Sequence, residues 1–139
     1  MINRIIVGVD FSYASRAALE HAISLSQKLK IPLVAVHVLQ PSTPFPLEIP
    51  VAIQIPGWSD AWENHARDRL EQWAIDIPNL GTQIKWGNPA EELALSAGQD
   101  SMLVVGQTSQ SRFESLLFGG TVARIMELAN CEVLVVPFH

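Results

Sequence analysis

A single cysteine, Cys131, stands among 139 residues. An internal disulfide is therefore excluded, and the chain suits a reducing compartment such as the cytoplasm. Positive charge is scarce, with nine Lys and Arg against fourteen Asp and Glu and a net charge of −5. Those nine residues form no stripe or block, which argues against a nucleic-acid or anionic-membrane surface. No apolar run approaches the roughly 18 residues of a spanning helix. The opening stretch is expected not to be a signal peptide, because its apolar run is short and Asp10 interrupts it. His21, His37, His65 and His139 are dispersed, and no His/Cys/Asp/Glu set has metal spacing, so no zinc site is expected. Neither a G-x-S-x-G elbow nor a Ser/His/Asp or Cys/His signal is present. No catalytic residue is assigned, and an enzymatic role is not expected.

Hydrophobic residues make up 48% of the chain and mean hydropathy is +0.21, as in a sheet buried on both faces. The length fits one domain over residues 1–139. Short apolar runs alternate with helical patterns. Strands are expected at Ile5 to Val9, Leu33 to Leu39, Thr82 to Trp86, Met102 to Val105 and Glu132 to Val136. A helix is expected from Ser12 to Lys30, with Ser12 as N-cap and an apolar face of Ala18, Leu19, Ala22, Ile23, Leu25 and Leu29. A second runs from Ser59 to about Ile75, with Trp62, Ala66, Leu70 and Trp73 on one stripe. Asn88-Pro89-Ala90-Glu91 opens a third with N-cap, first-turn proline and capping-box glutamate. A fourth covers Thr121 to Ala129. Strands alternating with helices predict βαβ units and a mainly parallel sheet.

Residues 40–58 break this pattern as a Pro-rich insertion with five prolines, which excludes a helix and a central strand. Phe45, Leu47, Ile49, Val51, Ile53 and Ile55 alternate, so one face of an extended segment meets something apolar. A covering loop, a lid and a subunit contact all satisfy that pattern.

In the last third, the apolar run to Gly106 gives way to a hydroxyl-rich loop, and Gly119-Gly120 opens the final helix. Amides freed at a glycine loop and a helix N-terminus suit phosphate. A plain strand–loop–helix connection uses glycines in the same way.

Ile5-Ile6-Val7-Gly8-Val9-Asp10-Phe11-Ser12, Val36-His37-Val38, Gly87-Asn88-Pro89 and Leu103-Val104-Val105-Gly106 together resemble the universal stress protein family. The resemblance covers nearly the whole chain except the insertion. It implies a single-domain, Rossmann-like α/β fold: an open parallel five-stranded sheet, order 3-2-1-4-5, with helices on both faces. It further implies a homodimer through the last strand, Glu132 to Val136, and a stress-response role exercised by binding ATP or AMP, with Mg2+ only together with the nucleotide. Membrane and nucleic acid are not expected partners. In the ATP-binding branch the phosphate loop runs G-x2-G-x9-G-[ST]. Gly106 and Gly119 match its first and third glycines. Ser109 replaces the second, and Gly120 replaces the Ser/Thr, with Thr121 directly after. Asp10 resembles the acidic group at the adenine end, and Val38 the backbone contact to adenine. Left-handed backbone costs a serine roughly 1–2 kcal/mol, while one hydroxyl bond to charged phosphate returns about 1.5–3 kcal/mol. The competing reading keeps the fold and makes it a protein–protein interaction module without nucleotide.

Several residues carry two readings. Asp10, ending the first strand, meets a ligand or holds the turn. His37 is a satisfied core histidine or a ligand contact. Arg112 meets phosphate or is solvated. Cys131 suits a small buried hydrophobe better than a nucleophile, and Glu91 and Glu92 suit the helix dipole better than a catalytic pair.

Overall fold

A computed structural model describes residues 1–40, 57–107 and 120–137. In chain order the elements are β1 (Arg4–Gly8), α1 (Tyr13–Leu29), β2 (Leu33–Leu39), α2 (Trp58–Ala74), β3 (Leu80–Trp86), α3 (Pro89–Ala97), β4 (Ser101–Gly106), α4 (Gly120–Leu128) and β5 (Glu132–Val136). The strands form one sheet in the order β3-β2-β1-β4-β5, with every pair parallel. That is the Rossmann-like architecture and order expected.

The central strands are apolar throughout because both faces are covered. Alternation along β1 sends Ile5 and Val7 to one side, where Ala18, Leu19 and Ala22 of α1 and Leu70 of α2 meet them. It sends Ile6 to the other, against Ala90 and Leu93 of α3 and Val122 and Ile125 of α4. The single cysteine, half-buried, packs against this second core, and burial pushes its thiol up. It behaves as a small apolar residue.

The caps stop the helices where the sequence predicts. Ser12 accepts from the Ser15 N–H at 3.1 Å, and Lys30 turns left-handed (φ 57°) to end α1. Leu29 falls off the expected apolar face and is half-exposed. Asn88 accepts from the Glu91 N–H at 3.1 Å, its half of the capping box. β3 begins at Leu80, two residues before the expected Thr82, because Gly81 hides the start of this edge strand. The Pro-rich stretch 41–56 and its alternating face lie outside the described residues. α2 starts at Trp58, one residue inside the expected insertion.

Candidate functional site

In this strand order the chain leaves β1 toward β2 and β3, then returns to place β4 and β5 on the other side. The connections diverge at β1 and open a crevice beyond the carboxyl ends of the strands, where open α/β sheets bind ligands. A cleft of about 320 Å³ lies there, within the range of small-molecule sites. Asp10, Val38, Gly106 and Thr121 all line it, from four different segments. Gly120 adjoins them as the first residue of α4. Ser109, Gly119 and Arg112 lie outside the described residues.

Asp10 performs the turn-holding role. Its Oδ1 accepts from the Ser12 N–H at 3.0 Å and from the Ser12 hydroxyl, a side-chain turn that replaces backbone bonds after a strand end. The Asp10 N–H donates to Ser15 Oγ at 3.3 Å, and that hydroxyl donates to the Ser12 carbonyl at 3.1 Å. The carboxylate is exposed and also lines the cleft, so holding the turn leaves it accessible there. Within this turn Phe11 adopts φ 66°, a conformation costing a bulky residue about 1–2 kcal/mol. Its ring is compensated by His37 at 4.6 Å, Trp73 edge-on at 5.3 Å and the Arg69 guanidinium at 4.1 Å.

His37 is hydrogen-bonded at one ring nitrogen and lines the cleft. Its Nδ1 lies 2.6 Å from the Val9 carbonyl. A carbonyl only accepts, so Nδ1 carries the proton and Nε2 is the acceptor of the neutral ring. Burial holds its pKa below the usual histidine value, against the opposing pull of the Val9 bond and of Asp10. The ring is thus a satisfied histidine that also lines the cleft.

The main chain of Val38 reaches the cleft because β1 ends opposite Val36. On β2, Val36 faces β1 and its carbonyl receives the Val9 N–H at 2.9 Å. Val38 turns the same main-chain edge toward β1, but the pairing of the two strands has ended at Val36. Its N–H and C=O therefore lie beyond the last β1–β2 pair. One donor beside one acceptor at a cleft wall suits the edge of a planar heterocycle.

Gly106 has a structural reason independent of any ligand. A Cβ there would collide with the Ala14 carbonyl, so only glycine lets the end of β4 pass beneath the first turn of α1. Among the described residues no three His, Cys, Asp or Glu side chains gather as metal ligands, and no helix is long and apolar enough to cross a membrane.

The universal stress protein family model matches residues 1–137. The chain belongs to that family. A universal stress protein of Mycolicibacterium smegmatis is 28% identical over 137 residues, covering 95% of this chain and 45% of that protein. One of Methanocaldococcus jannaschii is 26% identical over 145 residues, covering 98% and 82%. The chain thus spans less than half of the first relative and most of the second. The structure of universal stress protein UspA from Lactobacillus plantarum superposes with a TM-score of 0.75 at 29% identity, over 96% of this chain and 97% of that one. A universal stress protein crystallised in complex with cAMP has a TM-score of 0.60 at 19% identity, over 96% of each chain, and shares the fold.

Trp62 and Ser15 are among the residues of this universal stress domain's cleft that motif matching misses. Trp62 belongs, by periodicity, to the buried stripe of α2, yet it lines the cleft. The available signal is topological: in a parallel α/β sheet each helix that follows a strand begins at the carboxyl edge, so an aromatic near its start, as Trp62 is in α2, borders the ligand end. Ser15, at 5% exposure, lines it as well, and its place one turn into α1 is the corresponding signal.

Proposed function

We propose that this universal stress domain binds an adenine nucleotide, ATP or AMP, in the cleft at the strand carboxyl ends and acts by binding and regulation rather than by turnover. The observation that carries this reading is the main-chain edge of Val38, beyond the last β1–β2 pair, in a cleft that also holds Asp10, Gly106 and Thr121. Adenine offers a donor amine beside a ring acceptor, which complements that edge. At the opposite end, the N-terminus of α4 with Gly120 and Thr121 provides freed amides and a hydroxyl for phosphate. Mg2+ enters with the phosphates rather than on a protein site. A protein of the same fold has been crystallised with cAMP, which supports the capacity of the architecture for this ligand class.

The working form is a cytoplasmic homodimer. Among the described residues β5 pairs with β4 alone, so its outer edge invites a second strand, and a copy of itself satisfies it about a two-fold axis.

The interaction-module reading is favoured by one observation, the departures at Ser109 and Gly120 from the nucleotide-binding pattern. Calorimetry separates the two. Wild type is expected to bind ATP, and Gly119→Asp to abolish binding while the thermal transition stays in place, because the carboxylate repels phosphate. Absence of wild-type binding at millimolar ATP establishes the module. Unchanged affinity in Gly119→Asp removes the loop from the site. Ser109→Gly with Gly120→Ser is expected to tighten ATP binding; equal or poorer affinity means the native pair is a working alternative.

A further inference from the structure

We infer that Trp62 is the aromatic wall on which the base of the bound nucleotide packs, an inference that rests on the nucleotide reading above. The fold places it at the base end of the cleft. Trp86, the last residue of β3, lies in register with Leu39 of β2, the residue after Val38. The Trp62 ring stands 6.3 Å from the Trp86 ring at 80°. It is therefore above the ends of β2 and β3, with β4 and α4 across the cleft. Trp62 lines that cleft together with Val38, Leu39 and Gln40.

The indole is also braced before any ligand arrives. Trp58 meets it edge-to-face at 4.9 Å and 84°, a favoured aromatic geometry. Trp86 is anchored through its Nε1–H to Glu63 Oε1 at 2.8 Å, and Arg67 holds the other carboxylate oxygen at 3.1 Å. These bonds, the Trp86 N–H first, keep the Glu63 carboxyl below its usual pKa, so the anchor stays charged. A ring fixed in advance loses little rotamer freedom on binding. Two tasks are thus divided. The Val38 edge selects hydrogen-bonding pattern, whereas Trp62 supplies affinity for a flat base through its face, which every base possesses.

The test is calorimetry on the full chain with two probes, ATP and ribose 5-triphosphate, which lacks the base. Trp62→Ala is expected to weaken ATP binding about ten-fold or more and to leave ribose 5-triphosphate unchanged. Trp62→Phe, which keeps an aromatic face, is expected to retain most of the ATP affinity. ATP is also expected to quench wild-type tryptophan fluorescence, and Trp62→Phe to lose most of that quench while still binding. Circular dichroism establishes that each variant folds; should Trp62→Ala fail to fold, the affinity and quench of Trp62→Phe decide. The inference is overturned if Trp62→Ala binds ATP as wild type does, if both probes weaken equally, or if the quench survives in Trp62→Phe. Wild type that binds no ATP overturns the nucleotide reading itself, a different result from wild type that binds ATP indifferently to Trp62.

Discussion

Replacing Gly106 by alanine adds one carbon where the end of β4 passes the first turn of α1. That carbon would overlap the carbonyl carbon and oxygen of Ala14 and stand 3.0 Å from the Ala14 Cβ. The obstacle is main chain, which cannot rotate aside as a side-chain tip does, so α1 must retreat from the sheet. α1 buries Ala14, Ser15, Ala18, Leu19 and Ala22, and all five are disturbed by that movement. Overpacking a core typically costs 1–3 kcal/mol, and a main-chain obstacle places this variant near the upper end, about 3 kcal/mol. For a chain of this size each kcal/mol lowers Tm by about 3–4 °C, giving a fall of about 10 °C. With a urea slope of about 2 kcal/mol/M, the midpoint falls by about 1.5 M. The assay is thermal and urea denaturation of nucleotide-free protein followed by circular dichroism. A variant that unfolds with the wild-type midpoint would falsify the packing account of Gly106. The expected loss has a consequence for function: this glycine of the phosphate pattern is demanded by the fold with or without phosphate. Its presence alone is no sign of a ligand, and Gly119→Asp is the better probe of the loop.

Three further outcomes are expected. Because burial depresses the His37 pKa, the unfolded chain binds more protons as pH drops below about 6.5, so stability is full above that value and declines below it; a pH series of urea midpoints should show the decline, and an identical series for His37→Gln refutes the assignment. Asn88→Ala removes the acceptor of the Glu91 N–H and is expected to cost about 1 kcal/mol, read as a Tm lower by about 3–4 °C; no shift means the cap contributes nothing. Val135→Asp puts a charge on the edge strand β5 and is expected to convert a dimer to monomer in light scattering, because an unpaired charge would be desolvated at the contact; a monomeric wild type at micromolar concentration removes the dimer.

Much of the architecture is legible from local rules. β2 and β5 begin and end where the apolar runs Leu33 to Leu39 and Glu132 to Val136 do. Ser12 and Asn88 mark helix starts because an unsatisfied N–H at a helix end needs an acceptor within three residues. The strand order came from the family resemblance, since nothing in the periodicity of one strand says which neighbour it takes. β3 was the least legible strand, being at an edge, with a glycine near its start and two exposed positions. For the site, the motif pointed to Asp10, Val38, Gly106 and Thr121, and the fold brings them to one cleft.

What the sequence by itself determined is therefore what depends on neighbours in the chain: which segments are strands or helices, where the caps lie, and which residues match a family pattern. Tertiary structure alone decided the rest. It decided that Gly106 is a packing glycine, because Ala14 is more than ninety positions away. It decided that His37 takes the Val9 carbonyl, because strand register brings residues 28 apart within 2.6 Å. It decided that Trp62 borders a cleft rather than only filling a helix stripe, because helical period states which side chains share a face but not what that face meets at its end.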